Sequence, residues 1–293
     1  MAVKILLDTD IGSDLDDSIC LAYLLAKSSC QLLGITTVSG EAEKRAMLAS
    51  VLCKVAGKNV PIFPGIEVPL LVSSQQQSAQ QADALKKWTH DTKFPKGQAI
   101  QFLRDTIYQH PGEITLLTIG PLTNIALLFT LYPETPRLLK GLVMMCGLFT
   151  RRMGRLDPRE WNAKFDPHAT AIVYKREVML HHSIGADVSN DVVLEVKDVQ
   201  KRFQTDLLRP VLDFADVLFQ YTNMISFHAP LAAVSIFDDQ ICQMARGNIE
   251  VELTSERLLG FTHWEPAPFD GKHHIATAIN RQWFFGEFFS VFT

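Results

Sequence analysis

Five aspartates crowd one ten-residue stretch: Asp8, Asp10, Asp14, Asp16 and Asp17. Carboxylates this close repel one another unless protons, a cation or a polyol ligand compensates. Helix N-capping explains one or two of them; the excess points to a cation or polar-ligand site. A hard cation such as calcium takes roughly six to eight oxygen ligands from carboxylates, backbone carbonyls and water. It polarises one of those waters, and a neighbouring carboxylate can take the proton. An acidic pocket also favours a cationic transition state, such as the oxocarbenium ion of glycosidic cleavage. Asp and Asn side chains suit the hydroxyls of a ribose.

The elements that must position these acids alternate along the chain. The apolar run Val3–Leu7 reads as a buried parallel strand, and an apolar helix (Ile19, Leu21, Ala22, Leu24, Leu25) follows the acidic turn. Gln31–Val38 is a β-branched strand turned by Ser39-Gly40. Glu41–Ala56 has helical spacing with Gly57 as its stop, and Val60–Phe63 is a short strand. Residues 72–96 are polar and glutamine-rich, which predicts a mobile excursion, with Ser73–Trp88 as a lid over the site. A helix (97–110), a strand (114–119), a further helix and a strand (141–145) come next. An arginine-bearing loop (Arg151, Arg152, Arg155, Arg159) leads to a helix starting at Asp166-Pro167. Residues 182–187 read as a strand or its exit and 191–220 as largely helical. The C-terminal part reads as smaller strands with a final aromatic helix. Repeated βα units imply an α/β fold with a mostly parallel, doubly wound open sheet, here with a small C-terminal strand and helix addition, as one domain over residues 1–293. Ligands bind outside the carboxyl ends of such strands, and three loops fall there: 8–17, 119–124 and 146–162.

The 293 residues carry 47 % hydrophobic and 20 % charged side chains, and the net charge of −4 gives no basic footprint for nucleic acid. No run of apolar residues is long enough for a membrane span, and no basic, cleavable leader is evident, so a cytoplasmic protein is expected. Five scattered cysteines in apolar surroundings read as reduced core residues, without zinc spacing.

The turn Asp8-Thr9-Asp10-Ile11-Gly12 with Asp16-Asp17, the loop Ile119-Gly120-Pro121-Leu122-Thr123-Asn124, the stretch Glu160-Trp161-Asn162 with Asp166-Pro167, and His228-x-Pro230-Leu231-Ala232 occur in that order. Together they resemble the inosine-uridine-preferring nucleoside hydrolase family over nearly the whole chain. The resemblance implies a strand-end calcium that holds the water attacking the anomeric carbon of a small-molecule ribonucleoside, releasing ribose and free base, in a homodimer or homotetramer. It implies Asp10 as metal ligand and general base, Asp17 as bidentate ligand, and the Ile119 carbonyl as main-chain ligand. Asp16 matches the ribose-hydroxyl contact. Because two extra residues follow Gly12, Asp14 could take that role or a ligand's. Glu160 and Asn162 match sugar contacts, Met145 lines the same region, and His228 matches the histidine beside the leaving base.

Three departures stand out. Ala229 replaces an aspartate that is a direct calcium ligand in the family, so calcium is expected to bind more weakly. Candidates to compensate are Asp14 and Glu41. Glu41 stands where the family often has asparagine; it reads either as a metal or sugar contact or as a first-turn acid. The asparagine that contacts the 5′-hydroxyl has no counterpart, its place falling near Gly154 among arginines suited to phosphate, which raises a 5′-substituted substrate against a solvated loop. For the base, Tyr221 or Phe227 is a candidate stacking partner. A non-enzymatic nucleoside-binding homologue is the other class consistent with Ala229. A dehalogenase-type phosphatase is disfavoured by Gly12, and an EF-hand by the apolar helix after Asp17.

Overall fold

In the computed structural model, residues 2–150 and 157–292 are described. The chain opens β1 (Val3–Thr9), α1 (Asp16–Ala26), β2 (Cys30–Thr37), α2 (Ala42–Val55) and β3 (Ile62–Pro64). A 3₁₀ helix (Gln80–Lys87) precedes α3 (Ala99–Gln109), β4 (Ile114–Thr118), α4 (Thr123–Leu131), α5 (Thr135–Leu138) and β5 (Gly141–Met145). Then come α6 (Trp161–Phe165), α7 (Pro167–Tyr174), β6 (His181–Ile184), α8 (Ala186–Ser189), β7 (Val193–Glu195), α9 (Val196–Arg202) and α10 (Arg209–Ala215). The remainder is β8 (Met224–Ser226), α11 (His228–Val234), β9 (Cys242–Val251), β10 (Thr262–Pro266), β11 (His273–Ile279) and α12 (Arg281–Ser290).

Nine strands form one sheet in the order β10-β9-β11-β6-β5-β4-β1-β2-β3. From β3 to β11 the neighbours are parallel, and β9 runs antiparallel to both β11 and β10. The central strands are buried on both faces, as their continuous apolar runs require. Alternation sorts their side chains: Ile5, Leu7, Leu117, Val143 and Met145 enter one core with α1, α2, α11 and α12. Leu6, Leu116, Leu142 and Met144 enter the other with α3, α4 and α7. The architecture is the expected mostly parallel α/β sheet with flanking helices.

Two details are added to the expectation. The C-terminal strand and helix addition is built onto the main sheet itself, β9, β10 and β11 continuing it through β6. Residues 191–220 also contain β7, which pairs with β8 in a small second sheet.

Strand order reverses between β1 and β4, which are neighbours although α1 to α3 separate them in sequence. At such a switch point the two connections leave in opposite directions and open a crevice at the strands' carboxyl ends. The acidic turn after β1 and the Ile119–Asn124 loop after β4 both emerge there.

Candidate active site

A cavity of about 1030 Å³ sits over this crevice, with Asp10, Asp14, Asp16, Asp17, Ile119, Met145, Glu160, Asn162 and His228 all in its wall. Loops that are remote in sequence therefore converge. Of the described candidate residues, Glu41 and Phe227 are not part of this wall. Glu41 takes a left-handed backbone conformation (φ 60°) at the start of α2. Its carboxylate accepts from Ala79 N (2.9 Å) and pairs with Lys44 (2.5 Å). Glu41, expected either as a sugar or metal contact or as a first-turn acid, is held by Lys44 and the Ala79 amide at the start of α2, outside the cavity wall.

Asp10, Asp16 and Asp17 are each no more than 6 % exposed, while Asp14 stands exposed at the rim and accepts from Leu15 N at 2.6 Å. Burial pushes the Asp10, Asp16 and Asp17 carboxyls up, and neighbouring acids push in the same direction: Asp14 on Asp10, Asp14 and Asp10 on Asp16, and Asp10, Asp16 and Asp14 on Asp17. Arg45 and the Gln76 amide pull Asp10 back down. Asp17 accepts from the Thr9 hydroxyl, which itself receives Ile11 N at 3.0 Å. Asp16 Oδ2 accepts from Ala229 N at 2.9 Å. Beneath them Asp8, fully buried, is pushed up to about 7 by desolvation; Thr36 and Asn124 both donate to its Oδ1.

Asn162 Nδ2 donates to the carbonyls of Ile119 and Met145, each at 2.9 Å. A carbonyl has two lone pairs, so Ile119 keeps one for a further partner. Glu160 caps α6: its carboxylate accepts from the amides of Asn162 (2.8 Å), Ala163 (3.0 Å) and Gly147 (3.0 Å). His228 Nδ1 lies 2.7 Å from Ser189 Oγ.

The donor set fits a hard cation in type: two buried carboxylates, Asp10 and Asp17, with the Ile119 carbonyl. Among the described residues no three His, Cys, Asp or Glu side chains form a group able to hold a metal.

Sequence reasoning missed three residues here. Arg45 is completely buried and binds the carbonyls of Asp10, Ile11 (3.1 Å), Gly40 (2.9 Å) and Ser78 (3.2 Å) and the Ser13 hydroxyl (3.0 Å). Its position in the apolar stripe Ala42, Ala46, Ala49 was the available signal. Gln76 and Ser189 carried none. The segment expected to be a mobile excursion packs onto the acidic turn, with Gln76, Ala79, Gln81 and Ala84 buried. Phe227 is not a base contact: it is fully buried among Phe203, Phe284, Phe285 and Phe288. Tyr221 does line the cavity, 86 % exposed. Of the arginine loop, Arg151, Arg152, Arg155 and Gly154 lie outside the described residues. Arg159 shares Asp157 with Lys164, at 2.8 and 2.9 Å. No helix among the described residues is long and apolar enough to cross a membrane.

A protein of Schizosaccharomyces pombe named as uncharacterized is 35 % identical over 180 residues, 58 % of this chain and 57 % of that one. The non-specific ribonucleoside hydrolase RihC of Escherichia coli is 32 % identical over 201 residues, 66 % of this chain and 64 % of that protein. Both matches span less than two thirds of the relative's length. The inosine-uridine preferring nucleoside hydrolase of Leishmania major is 29 % identical over 301 residues, 96 % of this chain and 94 % of that one. Among solved structures, an inosine-guanosine nucleoside hydrolase superposes with a TM-score of 0.87 at 19 % identity, covering 100 % of this chain and 99 % of that one. The purine-preferring ribonucleoside hydrolase from Gardnerella vaginalis reaches 0.83 at 20 %, covering 99 % and 98 %. At such identities the likeness is one of fold. The profile of the inosine-uridine preferring nucleoside hydrolases matches residues 5–286, and the chain belongs to that family.

Proposed function

We propose that the protein hydrolyses the N-glycosidic bond of ribonucleosides to ribose and free base. The observation that carries this reading is the meeting of Asp10, Asp16, Asp17, Asn162 and His228 in one cavity at the β1–β4 switch point. Asp10 and Asp17 with the Ile119 carbonyl would hold calcium, which when bound supplies polarisation of the attacking water. Asp10 takes that water's proton as it reaches the anomeric carbon. Asp16, Glu160 and Asn162 hold the ribose, and the buried carboxylates favour the positive charge that develops on the sugar. His228 hands a proton to the departing base, and Tyr221 at the rim offers a face for that base. Arg159 and Lys164 share Asp157 at the rim, and the 5′-monophosphate in the experiment below tests whether such a substituent is accepted. The same reading makes the active species a cytoplasmic homodimer or homotetramer, which light scattering of the 32.9 kDa chain would test.

The deciding experiment is ribose release from inosine, uridine and a 5′-monophosphate in added calcium, for the wild type, Asp10→Asn and Ala229→Asp. Wild-type release from the nucleosides, lowered by about 10²- to 10⁴-fold in Asp10→Asn, is expected. Calcium should bind Ala229→Asp more tightly in calorimetry, since affinity follows ligand charge. Release by Ala229→Asp alone, with the wild type still binding nucleosides, would make this chain a binding homologue. No release from either would overturn the hydrolase reading.

A further inference from the structure

Gln76 belongs to the glutamine-rich segment between β3 and the 3₁₀ helix, yet it is only 6 % exposed. Every polar atom of its amide is used. Nε2 donates to Asp10 Oδ2 at 3.1 Å and to Ser13 Oγ, and Oε1 accepts from Trp161 Nε1 at 3.2 Å. An indole N–H only donates and a carboxylate only accepts. The amide orientation is therefore determined by its partners, because a flip would turn oxygen toward Asp10 and NH₂ toward the indole.

The backbone under Gln76 is held as firmly. Its carbonyl accepts from Gly40 N (3.3 Å) and Ser74 Oγ (3.2 Å). Arg45 takes the Ser78 carbonyl, Glu41 takes Ala79 N, and Gln81 N donates to Gly12 O at 3.0 Å. With Oδ2 of Asp10 carrying the amide, Oδ1 is the oxygen turned toward the loop after β4. It lies so near Gly120 that a Cβ there would come within 2.7 Å of it. Ile119, whose carbonyl lines the cavity, immediately precedes that glycine.

We propose that Gln76 is a positioning residue for the hydrolysis: it holds the Asp10 carboxylate so that Oδ1 faces the reacting water, and Trp161 locks Gln76 in turn. The inference rests on the assignment of Asp10 as the base. Trp161 is the first residue of α6, which carries Asn162, so grip on the ribose and aim of the base are joined through one amide. The segment is thus a working wall of the active site rather than only a cover.

The test is steady-state ribose release by full-length Gln76→Ala, Trp161→Phe and the double variant, with kcat and KM separated and the thermal midpoint recorded. The series is run in whichever of the wild type and Ala229→Asp turns over. For Gln76→Ala, kcat is expected to fall about 10- to 100-fold, as when an outer partner of an active-site carboxylate is lost. KM should stay nearly constant, because the interaction acts on the base and not on bound substrate. Trp161→Phe should cost less, and in the Gln76→Ala background it should cost no further kcat, the non-additivity of a shared interaction. Undiminished kcat in Gln76→Ala, or additive losses in the double variant, would overturn the inference and leave the hydrolase reading standing. A fall in kcat matched by a lowered midpoint and by loss of nucleoside binding would reduce Gln76 to a structural role. Absence of ribose release in both parent chains would remove the hydrolase reading and this inference with it.

Discussion

Asp16 and Asp17 are neighbours in the chain with different surroundings. Asp17 takes the Thr9 hydroxyl, while Asp16 takes the backbone N–H of Ala229. The alanine side chain at 229 brings no charge to the cluster, and its backbone amide steadies the acidic turn. His228 shows the same economy. Ser189 Oγ donates to the Gly185 carbonyl at 3.1 Å and meets His228 Nδ1 at 2.7 Å. The serine thereby fixes the orientation of the imidazole and leaves Nε2 as the nitrogen not engaged with Ser189. His228→Ala is expected to lower kcat by about 10²-fold. Ser189→Ala should lower it by roughly 10-fold through lost orientation, with little change in KM. Separate kcat and KM determinations on inosine check both; an unaffected Ser189→Ala would sink the orienting role. The aspartates and His228 were legible because type and spacing carry them. Ser189 was not, since a serine becomes informative only when the fold sets it beside a ring 39 positions away.

At the scale of elements, α2 supplies the counter-charge. Arg45 reaches four carbonyls and a hydroxyl from three chain segments, and its guanidinium favours the charged form of Asp10. Removing it strands buried carbonyls and leaves the acids without their buried cation. Arg45→Met is expected to cost about 3–5 kcal/mol of stability, measured by urea unfolding, with calcium restoring part of the loss by binding the native state. A loss below about 1 kcal/mol would contradict this account. The helix itself was readable from its apolar period, and the arginine stood in that stripe. Which carbonyls it would serve was not readable, because they come from the ends of β1 and β2 and from residues 76–79.

Across the whole molecule, the seam where β6 meets β11 joins the parallel sheet to its antiparallel edge. Two histidine pairs lie on it. The rings of His181 and His273 are 4.7 Å apart and those of His182 and His274 are 5.3 Å apart, with Tyr174 stacked on His181. His273 accepts Ile249 N and donates to the Tyr174 carbonyl, which is the pattern of a neutral ring. Burial pushes His182 down to about 4 and His181 well below its usual value, with His274 adding to both. Between that value and the ordinary 6.5 the unfolded chain binds more protons than the folded one, so stability falls as pH falls. His182 alone should cost about 2 kcal/mol between pH 7 and pH 5. The raised carboxyls such as Asp8 act in the opposite direction in both chains, so the check is the difference: between pH 7 and pH 5 the wild type should lose about 2 kcal/mol relative to His182→Phe in denaturation, and an equal pH dependence in the variant would exclude His182 as the source.

Composition, the alternation of apolar periods and the acidic turn after the first strand determined the α/β class and which residue types could do chemistry, since both are local properties of the chain. The Asp10, Asp16 and Asp17 cluster was legible for that reason. Only the tertiary structure decided that Glu41 faces Lys44 and not the cavity, that Phe227 belongs to an aromatic core, that the C-terminal strands extend the main sheet, and that Gln76 and Arg45 reach the acids. Each depends on contacts between segments far apart in sequence, where packing and the demand for buried hydrogen-bond partners choose among placements that local propensity leaves open.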